Sequence, residues 1–511
     1  MKIVTASVKK NIFSNYVGGA WSALMGFVFV PLYISYLGAE SYGLMGIFAA
    51  MQAWFVLLDM GLSQTLNREM ARFRGGAHTV ESIRNLLRSM EIVYLLVAIV
   101  IAGTIFYGSP WIAISWLKVE TLNPLVVADA LAIMGAVIAF RWLGGLYRSA
   151  ISGLQEQVWL NVSNIMFATL RGLGVIGVLA WFSPSIQAFF FYQGIVSLFE
   201  TIVLGVMLHV LLPRASVPSR FSWEAISQAW RFTGGVMLIT LLVLLMTQVD
   251  KLLLSKWLSL TEFGYYSIAG VVASVLYMLV NPVGSAVSPR LAEMVAKGEV
   301  VAIKKAYHRY SQFLTMTVAP AALVIATFSD HLLLLWTRDL QISAAVSPIV
   351  SALCIGTFLN ALMSVPYFLQ LAYGWTRLTI QISVVVVLIY IPSLFLVVPS
   401  FGSLGAAWLW AGINAFFIVV ALPVMHRKLM PGELGNWYRQ DVLPAFFVSS
   451  VIVFVGRCVV AKPDLAAPFY SLGVLFFFSM LTLFAAALAT PVGREVVRTI
   501  KNNMLYAHQI H

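Results

Sequence analysis

The side chains whose positions most need explaining are charged ones inside apolar runs. Arg141 and Arg171 lie within such runs, Arg148 lies at the end of one, and Glu200 and Asp250 are the two acidic residues well inside them. On insertion scales a charge at mid-bilayer costs about 2.5–3.5 kcal/mol, so these residues are expected to face a bundle interior or a wet cavity. Helical spacing assigns their neighbours. Asn161, Asn164, Ala168, Arg171 and Gly174 form one stripe, and Arg141, Gly145, Arg148 and Ser152 another. Gln193, Ser197 and Glu200 form a third, and Asn15, Gly19, Ser22 and Gly26 a fourth. Later in the chain Thr233, Thr240 and Thr247 lead up to Asp250 and Lys251, Ser267, Ser274 and Asn281 share a face, and so do Asn360, Ser364 and Tyr367.

Arginine's planar fork suits phosphate oxygens, which it binds in bidentate fashion. Arg141 and Arg171 set against Glu200 leave one net positive charge, which suits an anion with a greasy tail. The candidate substrate-binding set is therefore Arg171, Arg141, Arg148, Asn164, Asn15, Ser22 and Lys251. The candidate ion-coupling set is Glu200, Asp250 and Asp59, with protonation of Glu200 releasing Arg171 for substrate and deprotonation recapturing it. Structural alternatives exist for each. Stripes of small and hydroxyl residues also serve as helix–helix contacts in membranes, and Arg171 and Glu200 make a plausible structural pair. Asp59 could pair with Arg68 or cap a helix, Asp250 and Lys251 could neutralise each other, and Arg457 could snorkel to the interface. The seven His show no metal-ligand spacing, and neither a phosphate loop nor an H-E-x-x-H motif is found. No cofactor or metal is expected, and ATP-driven work would need a partner.

The surrounding composition explains why these charges are costly. The 511 residues are 60% hydrophobic and 10% charged, against about 25% charged in soluble domains. Such a chain cannot cover a water-facing surface, so lipid is its main solvent. A net charge of +12 does not indicate nucleic acid, because the Lys and Arg sit between apolar segments instead of forming a stripe. Cys354 and Cys458 read as small buried hydrophobes. Lys9 and Lys10 before a long apolar run predict a retained first helix and not a signal peptide.

Apolar stretches long enough to cross about 30 Å of hydrocarbon are expected at 11–37, 43–62, 90–109, 125–147, 160–181, 186–211, 232–254, 263–286, 311–328, 345–371, 378–398, 404–424, 443–460 and 469–490. Alternate loops together with the N-terminus hold 24 of the 32 basic residues, which predicts that both termini are cytoplasmic. The opposite loops are short, leaving little room for an external catalytic domain. Val80, Ile83, Leu87 and Met90, and likewise Ile303, Tyr307 and Tyr310, predict amphipathic helices lying at the cytoplasmic interface. An internal repeat organises the whole. Tyr36, Leu37, Tyr42, Gly43 and Ile47 match Trp257, Leu258, Phe263, Gly264 and Ile268 at an offset of 221, and Gly153 matches Gly374 likewise. Ser185 and Gly194 match Ser403 and Gly412 at 218, while Ile83 and Arg84 match Ile303 and Lys304 at 220. Equivalent segments are six helices apart, so the repeat is parallel. The expected fold is an all-α integral membrane protein of about fourteen transmembrane helices. Residues 1–215 and 216–430 form two six-helix lobes around a central cavity, and 431–511 a helix pair and tail.

Leu57-Leu58-Asp59-Met60-Gly61-Leu62 followed by Asn67-Arg68-Glu69 resembles the end of helix 2 in polysaccharide flippases. Gln248-Val249-Asp250-Lys251, the run from Leu258 to Tyr266, and Tyr147 to Gln155 are similar to the same family. In order and spacing, and with the repeat, these motifs cover nearly the whole chain. The family is the O-antigen translocases, or lipid-linked oligosaccharide flippases, within the superfamily that also holds multidrug and toxic-compound extrusion transporters and lipid II flippases. Arg141, Arg148 and Arg171 depart from the family's general signatures.

The resemblance implies alternating access and a flippase, not an enzyme. The expected substrate is undecaprenyl-diphosphate-linked oligosaccharide, carried from the cytoplasmic to the outer leaflet for O-antigen, capsule or exopolysaccharide assembly. Membrane lipid, with polymerase and export machinery, completes the expected partners, and the expected site is the bacterial inner membrane. The rivals are a cation-coupled multidrug exporter, which would want a net acidic cavity, and a membrane enzyme of glycan assembly. A reporter that works only in the cytoplasm should be active when fused at the C-terminus, and activity confined to an exported reporter would overturn the topology.

Overall fold

A computed structural model describes the backbone of residues 2–215, 218–224, 227 and 234–499, and the side chains of these apart from 2–13 and 234–236. Thr233, which entered the sequence reading, lies outside the described residues. Among the described residues the chain is helical, with one isolated β-bridge, Lys118 to Ser259. Twelve helical stretches in this part are long and apolar enough to cross a membrane. The protein is thus an all-α, multi-pass membrane protein.

The helices of the first half are α1 (Lys2–Val28), α2 (Val30–Phe55), α3 (Leu62–Arg74), α4 (Val80–Trp111), α5 (Pro124–Gly153), α6 (Gln157–Trp181) and α7 (Ile186–Leu211). Their starts follow from local chemistry. Thr79, Asn123 and Ser185 each accept a backbone N–H of the first turn with a side-chain oxygen, and Pro124 occupies the first turn of α5. Gly38 interrupts α2 with φ +78°, and Gly402 interrupts the Thr376–Phe416 helix with φ +57°. Both are backbone conformations that a residue with a Cβ adopts only at a cost. They fall at or near the expected turns after 37 and before 404. The 54-residue apolar stretch Thr376–Leu429 is thereby divided.

The chain forms two compact units, 1–264 and 265–511. In the first, α5 is central, packing against α3, α4 and α7. Gly135 faces Ile105 of α4 and Gly144 faces Thr201 of α7, small residues that let the helices approach closely. In the second, the Val300–Thr327 helix holds the Leu443–Val459 and Pro468–Ala489 pair. Phe328 stacks on Phe478 at 4.9 Å, Gln312 donates to Asp441 at 2.9 Å, and His308 Nδ1 lies 2.6 Å from Asp441.

The expected interfacial helices take a different form. Ile83, Leu87 and Met90 belong to the first turns of α4, which runs without a break into the span. Their apolar face is buried against Leu62, Leu66 and Met70 of α3. Ile303 and Tyr307 are likewise buried in the opening turns of Val300–Thr327. An apolar stripe reports that a face is buried, and here other helices cover it where lipid was expected.

On α3, Glu69 receives Arg68 at 2.7 Å, Arg72 at 3.0 Å and His78 at 2.6 Å. Burial pushes its carboxyl up, but the hydrogen bonds from His78 and Arg68 and the charges of Arg72 and Arg68 outweigh it. Glu69 therefore titrates below the usual glutamate range. A depressed folded-state pKa contributes stability above the ordinary value of about 4.3, lost as pH falls through the lower folded value. Glu69→Gln should lower the thermal unfolding midpoint of the detergent-solubilised protein at about pH 7, and the gap from wild type should narrow as the pH falls below the ordinary glutamate value of about 4.3. A constant gap across that range would rule out the ionised form as the source.

Candidate substrate site

Three helices of the first unit bring the buried charges together. Arg141 and Arg148 lie two turns apart on α5, so they share a face. Arg171 lies near the middle of α6. Gln193, Ser197 and Glu200 form the facing stripe of α7, and all three are buried. Glu200 sits between two guanidinium groups. Arg148 donates to one carboxylate oxygen at 2.5 Å and Arg171 to the other. The carboxylate side chain is only 5% exposed, while Arg148 and Arg171 keep 43% and 25% of their side-chain surface open. The Nε atoms of both arginines are buried without a hydrogen-bond partner.

Arg141 completes the cluster without touching Glu200. It donates to Gln193 at 3.0 Å, Ser197 at 3.2 Å and Gln52 at 3.3 Å, and its guanidinium lies 5.0 Å from the centre of the Phe48 ring. All four partners are neutral, so its charge is uncompensated within the set. Three arginines against one glutamate leave an excess of two positive charges, one more than the sequence tally, because Arg148 joins. Such an arrangement can hold a multivalent anion through charge-assisted, forked hydrogen bonds.

The other candidates lie elsewhere. Asn15 accepts from Asn161 at 2.5 Å, joining α1 to α6. Ser22 is exposed and bonds the Gly18 carbonyl of its own helix at 2.9 Å, and Asn164 is half-buried on α6. Lys251 donates to Gln248 at 2.9 Å and lines a separate apolar cavity of about 240 Å³ with Trp54, Trp111 and Trp116. Asp250 is buried on the same helix, Gly234–Trp257. Asp59 caps α3, accepting from Ser63 N at 3.2 Å and Ser63 Oγ at 2.9 Å, and it also accepts from the Tyr94 hydroxyl. Arg68 is engaged by Glu69. Arg457 pairs with Asp330 at 2.8 Å.

Sequence reasoning did not identify Phe48 and Gln52. They lie one turn apart on α2, and an amide on one face of an apolar helix was the available signal. It also missed Glu40, buried just after the Gly38 break in α2, which accepts the backbone N–H groups of Glu120 at 2.6 Å, Thr121 at 3.0 Å and Leu122 at 3.1 Å.

The fold recurs in solved transporters. The chain is similar to the lipid II flippase MurJ in its inward closed conformation, with a TM-score of 0.69 at 13% identity, covering 92% of this chain and 98% of that one. It is similar to an inward-facing multidrug resistance MATE family transporter, with a TM-score of 0.67 at 13% identity over 81% of this chain and 96% of that one. In sequence it is 21% identical over 409 residues to a Shigella flexneri protein described as an O-antigen transporter, covering 79% of this chain and 94% of the relative. The MatE model matches residues 236–396. The model described as "Polysaccharide biosynthesis protein" matches residues 8–295, more than half the chain. By this match the chain belongs to this polysaccharide biosynthesis family of membrane transporters.

Proposed function

We propose that this protein flips undecaprenyl-diphosphate-linked oligosaccharide from the cytoplasmic to the outer leaflet of the bacterial inner membrane by alternating access, supplying O-antigen, capsule or exopolysaccharide assembly. The observation that carries the reading is the cluster of Arg141, Arg148 and Arg171 around a single Glu200. A diphosphate is the part of such a substrate that most resists leaving water, and forked cations inside the membrane replace its hydration. The polyprenyl tail can remain in lipid. The O-antigen transporter relative and the lipid II flippase neighbour support the same class of cargo. This reading includes fourteen crossings with both termini cytoplasmic, lobes at 1–215 and 216–430, and a terminal pair at 431–511. Polymerase and export machinery would take over the product.

The family-model match over 236–396 and the fold likeness to a multidrug transporter favour a second reading, export of cationic drugs. The excess positive charge would repel such cargo, so the glycolipid reading is preferred.

In this reading Glu200 occupies the two arginines until substrate arrives. The diphosphate displaces it from Arg148 and Arg171, or a proton on Glu200 releases them. Asp250 and Asp59 are the secondary coupling candidates. Arg171→Ala should lower glycan export about tenfold or more, the effect of losing one charge-assisted bond of roughly 1.5 kcal/mol or above. Membrane abundance should be unchanged, and Arg171→Lys should recover only part of the activity. Full export by Arg171→Ala would remove the site. Coupling is tested by transport in proteoliposomes with and without a pH gradient. The native rate should rise with the gradient and the Glu200→Gln rate should not. Four equal rates would leave Glu200 as a counterion alone.

A further inference from the structure

His308, in the opening turns of the Val300–Thr327 helix, is set between two carboxylates that play no part in the substrate site. Its Nδ1 lies 2.6 Å from Asp441 and its Nε2 lies 3.3 Å from Glu433. An ionised carboxylate only accepts hydrogen bonds, and imidazole donates from both nitrogens only when it carries its second proton. The geometry therefore calls for the charged ring. Lys304 reaches the other Glu433 oxygen at 3.0 Å, and the buried Gln312 donates to the other Asp441 oxygen at 2.9 Å. Two cations thus alternate with two anions along a chain that ends on a buried amide. Without the proton on His308 one anion is left over, and the Asp441 side chain has no exposed surface.

This chain joins the terminal helix pair to the rest of the second unit. Asp441 lies in the turn that opens the Leu443–Val459 helix. Gln312 also accepts the Val492 N–H at 3.2 Å, just beyond the Pro468–Ala489 helix. One buried carboxylate and one buried amide therefore hold both members of the pair at the same end. The other titratable neighbours are engaged elsewhere. His426 meets the Tyr307 hydroxyl at 3.3 Å and the Leu422 carbonyl at 3.0 Å, Arg309 pairs with Glu495 at 3.1 Å, and Tyr438 donates to the Ile418 carbonyl at 3.1 Å. His308 precedes the span expected at 311–328 and keeps 19% of its side-chain surface open, so it can exchange a proton with water. Burial pushes the ring down, but the hydrogen bonds and charges of Asp441 and Glu433 outweigh it, and His308 titrates above the usual histidine range. Bonds from Asn436 and Lys304 hold the Glu433 carboxyl down at about 2, so it stays ionised while the ring titrates. At the offset of 220 that matches Ile83 with Ile303 and Arg84 with Lys304, the counterpart of His308 is Arg88. Arg88 lies 3.5 Å from Glu91 and cannot lose its proton. A permanent cation stands in the first repeat where a titratable one stands in the second.

We propose that His308 is a proton-operated latch: its charged ring docks the terminal helix pair on the Val300–Thr327 helix, and loss of the proton loosens that end of the pair. A ring that titrates above the ordinary value of about 6.5 when folded contributes its stability fully below that value, and loses it as the pH rises through the higher one. The latch is shut in acid and weakens toward alkaline pH. The opposite end of the pair has no such dependence, because there Phe328 stacks on Phe478 at 4.9 Å and Arg457 pairs with Asp330 at 2.8 Å.

Hydrogen exchange read by mass spectrometry on the whole protein in detergent tests the latch, with protection corrected for the intrinsic rate at each pH. From about pH 6 to about pH 9, protection of 437–445 and 490–494 should fall about tenfold or more in the native protein, the effect of leaving a buried carboxylate uncompensated. Protection of α5 is the control and should stay constant. His308→Arg, which restores the cation of the first repeat, should keep the pair protected across the whole range. His308→Gln should leave it weakly protected throughout. Native protection that ignores pH would overturn the latch, and so would an equal fall in His308→Arg. A second measurement reads the native ring itself, by nitrogen NMR of protein carrying isotope-labelled histidine. The His308 ring should remain mostly charged at about pH 6.5, where an ordinary histidine is half neutral. A ring half neutral or more at that pH would overturn the proposal.

Discussion

Glu200, held between Arg148 and Arg171, is the contact on which the functional half of the fold depends. Three helices contribute to it, so α5, α6 and α7 cannot shift independently without leaving a charge uncompensated inside the membrane. Removing one partner of a buried ion pair costs far more than the pair contributes as a whole. That asymmetry fixes the register of α5 on α7, where Arg141 then meets Gln193 and Ser197. A single carboxylate shared by two cations is also a poor final partner for either. An anion with more oxygens could satisfy the Nε donors that Glu200 leaves unmet.

The packing around the cluster serves a different need. Transmembrane helices have no hydrophobic force between them, because lipid is as apolar as a leucine face. Close approach therefore comes from small residues, as at Gly135 and Gly144 on α5. Polar links close the ends. The Glu40 carboxylate gathers the loop before α5, and Glu69 gathers His78, Arg68 and Arg72 on and beside α3.

Much of this was legible in the sequence because the bilayer imposes strict rules on it. Low charge and long apolar runs made the membrane class and the all-helical fold readable. Arg141, Arg171 and Glu200 stood out because a charge within an apolar run needs a reason to be there. Helical spacing put Gln193, Ser197 and Glu200 on one face, which the structure shows as one buried stripe.

Tertiary structure decided what one-dimensional spacing cannot carry. Periodicity reports that a face is buried but not what covers it, so the opening turns of α4 read as a lipid-facing helix although α3 covers them. It places residues on their own helix but not opposite another, so Phe48, Gln52 and the bond from Arg148 to Glu200 were out of reach. Asp59 could cap a helix or pair with Arg68, and only the fold shows it accepting from Ser63 while Arg68 reaches Glu69. The sequence by itself determined the solvent, the all-helical membrane class and which charges were anomalous, because each follows from the cost of placing a residue in hydrocarbon. The fold alone decided which of those charges share a carboxylate and which helices meet at glycines, because both depend on how separate helices cross.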